Sequence, residues 1–170
     1  MGSGISGSYR GTISKSQPYA ELYNVCSDLL EIDKKDPDIY DSNNGYFKNP
    51  TAINLFESIN GDGIYRNGKR VHGVFTYVMD EKGNIIFGSR CNPNNIGKRS
   101  PHPTLIGGKN PKVKCAGMIT FSKGKIVSID NISGHFKPNI KSMEKVNDYM
   151  DKLYQINNEI FSNKSKWRKK

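Results

Sequence analysis

Residues Val71–Pro138 constrain the fold of this chain more than any other stretch. VHGVFTYVMDEKGNIIFGS (Val71–Ser89) and VKCAGMITFSKGKIVSIDNISGHFKP (Val113–Pro138) each hold two runs rich in β-branched and aromatic residues. Each pair of runs flanks a glycine turn, Lys82-Gly83-Asn84 in the first and Lys123-Gly124 in the second. Runs this short, punctuated this way, predict four strands in two hairpins. Val74–Val78 is almost wholly apolar, which predicts a central strand covered on both faces. The hairpins are joined by Ser89–Pro111, which reads as a long loop, and loops beyond ~12–15 residues commonly carry function. That loop contains RSPHPTLIGG (Arg99–Gly108), and a second polar loop, Ser133-Gly134-His135-Phe136, follows the last strand.

The flanking segments read as packing for this sheet. Met1–Ser8 is a Gly/Ser leader expected to be mobile, and Tyr9–Ile13 a short strand. Ser16 as a cap, Pro18 in the first turn and the stripe Tyr19, Leu22, Tyr23, Cys26, Leu29, Leu30 predict a helix ending before Asp33–Pro37. Thr51–Ile59 reads as a second, short helix. Ile64-Tyr65 and Arg70–Met79 flank Asn67-Gly68, a two-residue hairpin signal. The stripe Ile140, Met143, Val146, Met150, Leu153, Ile156, Ile160 predicts a helix over Ile140–Phe161, and Asn163–Lys170 a frayed basic tail. The expected class is α+β, with one twisted, mostly antiparallel sheet flanked by helices. The expected division is a leader over 1–8, one domain over 9–162 and a basic tail over 163–170.

A chain of 170 residues is long enough for one core and suits a single, monomeric domain. The net charge of +10 favours polyanionic partners, or serves solubility alone. The three cysteines lack metal or redox spacing. Cys26 and Cys115 read as small buried hydrophobes, Cys91 as an idle loop thiol, and no metal site is expected. No run approaches the ~20 apolar residues of a membrane span, so no membrane partner is expected, and no secretory signal is visible.

Two of the three histidines fall in the two loops. The open ends of a hairpin lie side by side, so the segment around His102, Thr104, Gly107 and Gly108 is expected to meet Ser133, Gly134, His135 and Phe136 at one sheet edge. Histidines and hydroxyls supply donors and acceptors, glycines let a ligand approach the main chain, and Phe136 offers a face for a flat ring. His72, on a strand, is expected to be structural. No nucleophile elbow, zinc-binding HExxH, phosphate loop or CxxC pair is present.

The order of these pieces resembles a known family. Tyr77-Val78-Met79-Asp80, Gly83, Ile86-Phe87-Gly88, His102-Pro103-Thr104-Leu105-Ile106-Gly107-Gly108, Ala116-Gly117, Gly124 and Ser133-Gly134-His135-Phe136-Lys137-Pro138 are similar to the core shared by bacterial CteC-like effectors and plant calmodulin-binding IQM proteins. Pro103 and Thr104 stand where that core usually carries two serines, and Phe136 where it carries tyrosine. The resemblance implies a divergent ADP-ribosyltransferase-like fold and an effector or toxin, secreted by a bacterium and acting in a target-cell cytosol. It implies a mono-ADP-ribosyltransferase that moves ADP-ribose from NAD to a hydroxyl of an acceptor protein, ubiquitin threonine by family likeness. The implied catalytic set is His102, Thr104 and His135. The implied NAD-contacting set is Arg10, Gly107, Gly108, Ser133, Gly134 and Phe136, with Arg10 placed by the likeness of Tyr9-Arg10-Gly11-Thr12 to a strand-borne arginine motif. Two other readings stay open: a basic toxin acting on RNA, as an RNA ADP-ribosyltransferase or a metal-independent ribonuclease, and a non-catalytic binding module.

Overall fold

The computed structural model describes residues 16–49, 52–89 and 101–167. Arg10, Cys91, the leader and the expected strand over Tyr9–Ile13 lie outside these. The strands in chain order are β1 (Tyr23–Asn24), β2 (Tyr40–Asp41), β3 (Tyr46–Phe47), β4 (Ile53–Asn54), β5 (Ile59–Asn60) and β6 (Gly63–Arg66). They continue as β7 (Lys69–Arg70), β8 (Gly73–Met79), β9 (Ile85–Ser89), β10 (Lys112–Val113), β11 (Cys115–Ser122) and β12 (Lys125–Ile129). The α-helices are α1 (Ser27–Asp33), α2 (His102–Ile106) and α3 (Met143–Ile156).

The architecture is α+β and mostly antiparallel. The main sheet has five strands in the order β12-β11-β8-β9-β4. Both expected hairpins, β8–β9 and β11–β12, are present and lie side by side through β8–β11, paired from Met79↔Cys115 to Gly73↔Phe121. Smaller ribbons join β1 to β10, β2 to β3, and β5 to β6 and β7. The Asn67-Gly68 hairpin forms as expected, with both residues at positive φ (54° and 78°), the geometry a tight right-twisted hairpin requires.

The period-2 alternation of the strands sorts their side chains onto two cores. Phe75, Tyr77, Phe87, Ile119 and Phe121 pack with Val146, Met150 and Leu153 of α3. On the opposite face Val78 and Ala116 pack with Tyr23, Leu105, Val113 and Phe136. β8 is therefore covered on both faces over Phe75–Met79, whereas Val74 at its start is 43% exposed.

Several flanking elements differ from expectation. In place of a helix from Ser16 to Leu30, residues 16–22 are irregular, β1 follows, and only Ser27–Asp33 is helical. Long-range bonds hold this segment extended: Tyr23 and Asn24 pair with Val113 and Lys112, and the Tyr23 hydroxyl meets Ser142 Oγ at 2.7 Å. Such contacts override local propensity. The expected helix over Thr51–Ile59 is instead β4, a 3-10 turn over Phe56–Ser58, and β5. Ile53 pairs with Phe87 at the sheet edge, a bond no periodicity announces. The C-terminal helix is shorter than expected, with 3-10 turns on either side of α3. The basic tail is not frayed through residue 167: Ser165 and Trp167 are fully buried, and Trp167 stacks tilted on Phe161, centroids 5.4 Å apart.

Candidate functional site

The two loops meet as the hairpin geometry requires. The His102 and His135 rings lie 6.2 Å apart, centroid to centroid, with planes inclined at 56°. Each reaches that place by a different route.

His102 opens α2, a single helical turn inside what the sequence presented as loop. His102 Nε2 lies 2.7 Å from the carbonyl oxygen of Gly117 on β11. A carbonyl only accepts, so Nε2 carries the proton and Nδ1 keeps its lone pair. The ring is buried, and burial, with the His135 ring as a second cause, pushes its pKa down to about 3. His102 is thus a neutral imidazole of fixed tautomer. The approach depends on Gly117: a Cβ there would sit 2.0 Å from the carbonyl oxygen of Asp130 and 2.6 Å from its carbonyl carbon. The chain leaving β12 passes directly over this glycine. The Asp130 carboxylate holds that crossing by accepting from Met118 N at 2.8 Å and Ile132 N at 2.9 Å. Burial raises its pKa against those two bonds.

His135 sits in the turn after β12. Lys137 N donates to Ser133 O at 2.8 Å, and Phe136 N donates to Ser133 Oγ at 3.3 Å. The N-terminal segment then pins the turn: Gln17 Nε2 donates to Phe136 O at 2.6 Å, and Cys26 N to His135 O at 2.6 Å. Asp33, the last residue of α1, places Oδ2 2.7 Å from His135 Nε2. The pair is close but lacks the alignment of a hydrogen bond, and neither buried atom has another hydrogen-bond partner. The His135 side chain retains 16% exposure.

The other expected site residues have different duties. The Thr104 hydroxyl donates to Pro101 O at 2.7 Å and is fully buried, so it braces its own turn. Ser133 is likewise buried and braces its turn through Oγ. Phe136 is wholly enclosed between Leu105, Val113 and Ala116; it is a core residue and not a face for a ligand ring. Gly107 and Gly108, at φ 74° and 86°, end α2, and Gly108 exchanges both backbone bonds with Phe47 at 2.8 and 3.0 Å. Gly134 lies half-buried in the turn beside His135. Arg10 lies outside the described residues. His72 accepts from Lys123 N at 3.0 Å, a structural role as expected. Cys115 is buried, and burial pushes its thiol up to about 12; Cys26 is half-buried.

Asp33 is the site residue that sequence reasoning missed. It falls where the first helix is expected to end, and its partner His135 belongs to another element about a hundred residues on, so no local pattern marks it. Among the described residues no group of three His, Cys, Asp or Glu side chains is arranged to hold a metal ion. No family model, curated protein or solved structure matches this chain.

Proposed function

We propose that the protein is an NAD-dependent mono-ADP-ribosyltransferase whose site is built on His102, His135 and Asp33. The observation that carries this reading is the pair of imidazoles at the open end of one hairpin, with the Asp33 carboxylate 2.7 Å from His135 Nε2. The resemblance of the two histidine loops to CteC-like effectors supplies the reaction. Cleaving the nicotinamide–ribose bond releases neutral nicotinamide and leaves an oxocarbenium-like ribose. An acceptor hydroxyl then attacks C1, forming the new C–O bond, and its proton passes to solvent water. This chemistry asks for a clamp more than for a strong base.

In that clamp the neutral His102 offers Nδ1 as an acceptor for a ribose hydroxyl. His135, the more exposed ring, meets the substrate, with Asp33 fixing its orientation. The Gly134 backbone lies within reach of the same ligand. Arg10 is proposed for the diphosphate on the likeness of its motif. The acceptor proposed is a protein hydroxyl, ubiquitin threonine first. The protein is proposed to act as a secreted effector in a target-cell cytosol. The depressed His102 pKa weighs against the ribonuclease reading, which needs one imidazolium and one imidazole near neutral pH.

Incubation with NAD and ubiquitin, followed by intact-mass measurement, tests this. One added ADP-ribose on ubiquitin, absent with His135→Ala, is the expected result. NAD left intact beside every acceptor offered, with RNA cleaved instead, overturns it.

A further inference from the structure

A second constellation lies at the other end of β11, where the tip of the β11–β12 hairpin packs against the open end of the β6–β7 hairpin. Lys123 and Gly124 at the β11–β12 tip have φ of 50° and 83°, the same left-handed pair as Asn67 and Gly68 at the β6–β7 tip. The contact is tight: a Cβ on Gly124 would meet Arg70 Cγ at 3.1 Å. Gly124 also donates to Val71 O and accepts from Ile64 N, both at 2.8 Å. The C-terminal segment forms a third wall, because Ser162 N donates to Ile126 O at 2.8 Å. Together they enclose a groove of about 610 Å³.

Four cations from these three segments line it, Arg70, Lys123, Lys125 and Lys164, against one carboxylate, Glu159. Two of the cations are structural ties. Asp62 Oδ1 takes Arg70 Nη2 at 2.8 Å, and Lys125 Nζ is held by Asp62 Oδ2 (3.3 Å), Asp62 O (2.6 Å) and Glu159 O (2.7 Å). Arg70 in turn holds the Asp62 carboxyl below the usual carboxylate range. Lys123 joins this network only through its carbonyl, which accepts from Arg70 Nη1 at 3.3 Å; the Lys123 and Lys164 residues are both exposed. Ser122, Ser162 and Asn163 add neutral donors to the same lining.

The composition of the groove selects its partner. Its one aromatic residue, Phe161, is fully buried. Among the described lining residues no ring is exposed on which unpaired bases could stack, and none is an exposed aromatic or aliphatic anchor of the kind that carries protein–protein affinity. What the lining offers is lysine charge, hydroxyls and an amide, the groups that contact phosphate oxygens. We propose that this groove docks the phosphodiester backbone of a double-stranded nucleic acid. The net charge of +10 provides long-range attraction; the groove beside the β11–β12 tip provides the place. From Gly117, beside the histidines, to Ser122 is five residues of strand, about 17 Å, so the groove is separate from the histidine pair and does not rest on the transferase reading.

The test is fluorescence anisotropy of the full chain with a labelled RNA duplex of about 20 base pairs, across about 50 to 200 mM salt. A single strand of equal length and polyglutamate serve as competitors. The variant is Lys123→Asn with Lys164→Gln, asparagine being a residue that tolerates the left-handed conformation at 123. Duplex binding is expected to exceed that of both competitors. The double variant is expected to bind about tenfold more weakly, with a log–log salt slope shallower by about 2, one per lost phosphate contact. A slope unchanged in the variant, a competitor binding as tightly as duplex, or no duplex binding at low salt overturns the proposal. Equal melting temperatures of the two proteins show that the variant is folded.

Discussion

Replacing Gly117 with alanine tests the physical basis of the candidate site. The new methyl group would lie 2.0 Å from Asp130 O, 2.6 Å from its carbonyl carbon and 2.8 Å from Asn131 Cα. All three are backbone atoms, so no flexible side chain can swing aside. Reaching an ordinary contact distance of ~3.5 Å requires the chain after β12 to retreat by about 1.5 Å. That movement strains the Asp130 carboxylate bond to Met118 N (2.8 Å) and the Tyr77 hydroxyl bond to Asp130 O (2.5 Å). It also displaces the Gly117 carbonyl that fixes His102. Overpacking of this kind costs about 1–3 kcal/mol, and a weakened buried hydrogen bond adds about 1 kcal/mol. For a chain of this size each kcal/mol is worth about 2–4 °C in Tm. Gly117→Ala is therefore expected to lower Tm by roughly 5–15 °C in a calorimetric scan and to shift the His102 imidazole resonances. A Tm within about 2 °C of the parent, with unmoved His102 signals, would refute the close crossing over β11.

Further outcomes follow from the same geometry. The His102 pKa of about 3 lies below its ordinary value of 6.5, so between those values the unfolded chain binds the extra proton. Stability is full above pH 6.5 and falls as the pH drops toward 3, by about 1.4 kcal/mol per unit from this group; His102→Asn flattens that part of a denaturation-versus-pH curve. Asp33→Asn removes the charge beside His135 and is expected to lower kcat for nicotinamide release about tenfold or more with little change in KM; unchanged kcat assigns Asp33 a structural duty only. Trp167→Ala deletes a fully buried ring and is expected to cost about 3–5 kcal/mol in chemical denaturation, an effect a frayed tail cannot produce.

The sheet was legible in the sequence because its evidence is local. Alternating apolar positions and the glycine turns at Asn67-Gly68 and Lys123-Gly124 carry strand, turn and register together. The meeting of His102 with His135 was legible for the same reason: two hairpin ends adjoin whatever the loops contain. What the loops do with their side chains was not legible. Thr104, Ser133 and Phe136 look like ligand groups in a polar loop, yet in the fold two of them brace their own turns and the third fills a core. The difference lies in α2, which buries that loop against β8 and the second core. The expected helix after Ser16 failed where a strand contact with Val113 outweighed propensity. Asp33 was hidden because its partner stands about a hundred residues away and belongs to another element.

The central claim is that the two imidazoles grip NAD for transfer to an acceptor. Titrating NAD into the protein while following the His102 and His135 ring resonances, and then quantifying released nicotinamide in the same samples, addresses it directly. The account predicts saturable shifts at both rings, His135 the larger, with nicotinamide released in the parent protein and lost in His102→Ala and His135→Ala variants that retain the parent melting temperature. Nicotinamide release undiminished in both variants, or rings that stay unperturbed at saturating NAD, would contradict it.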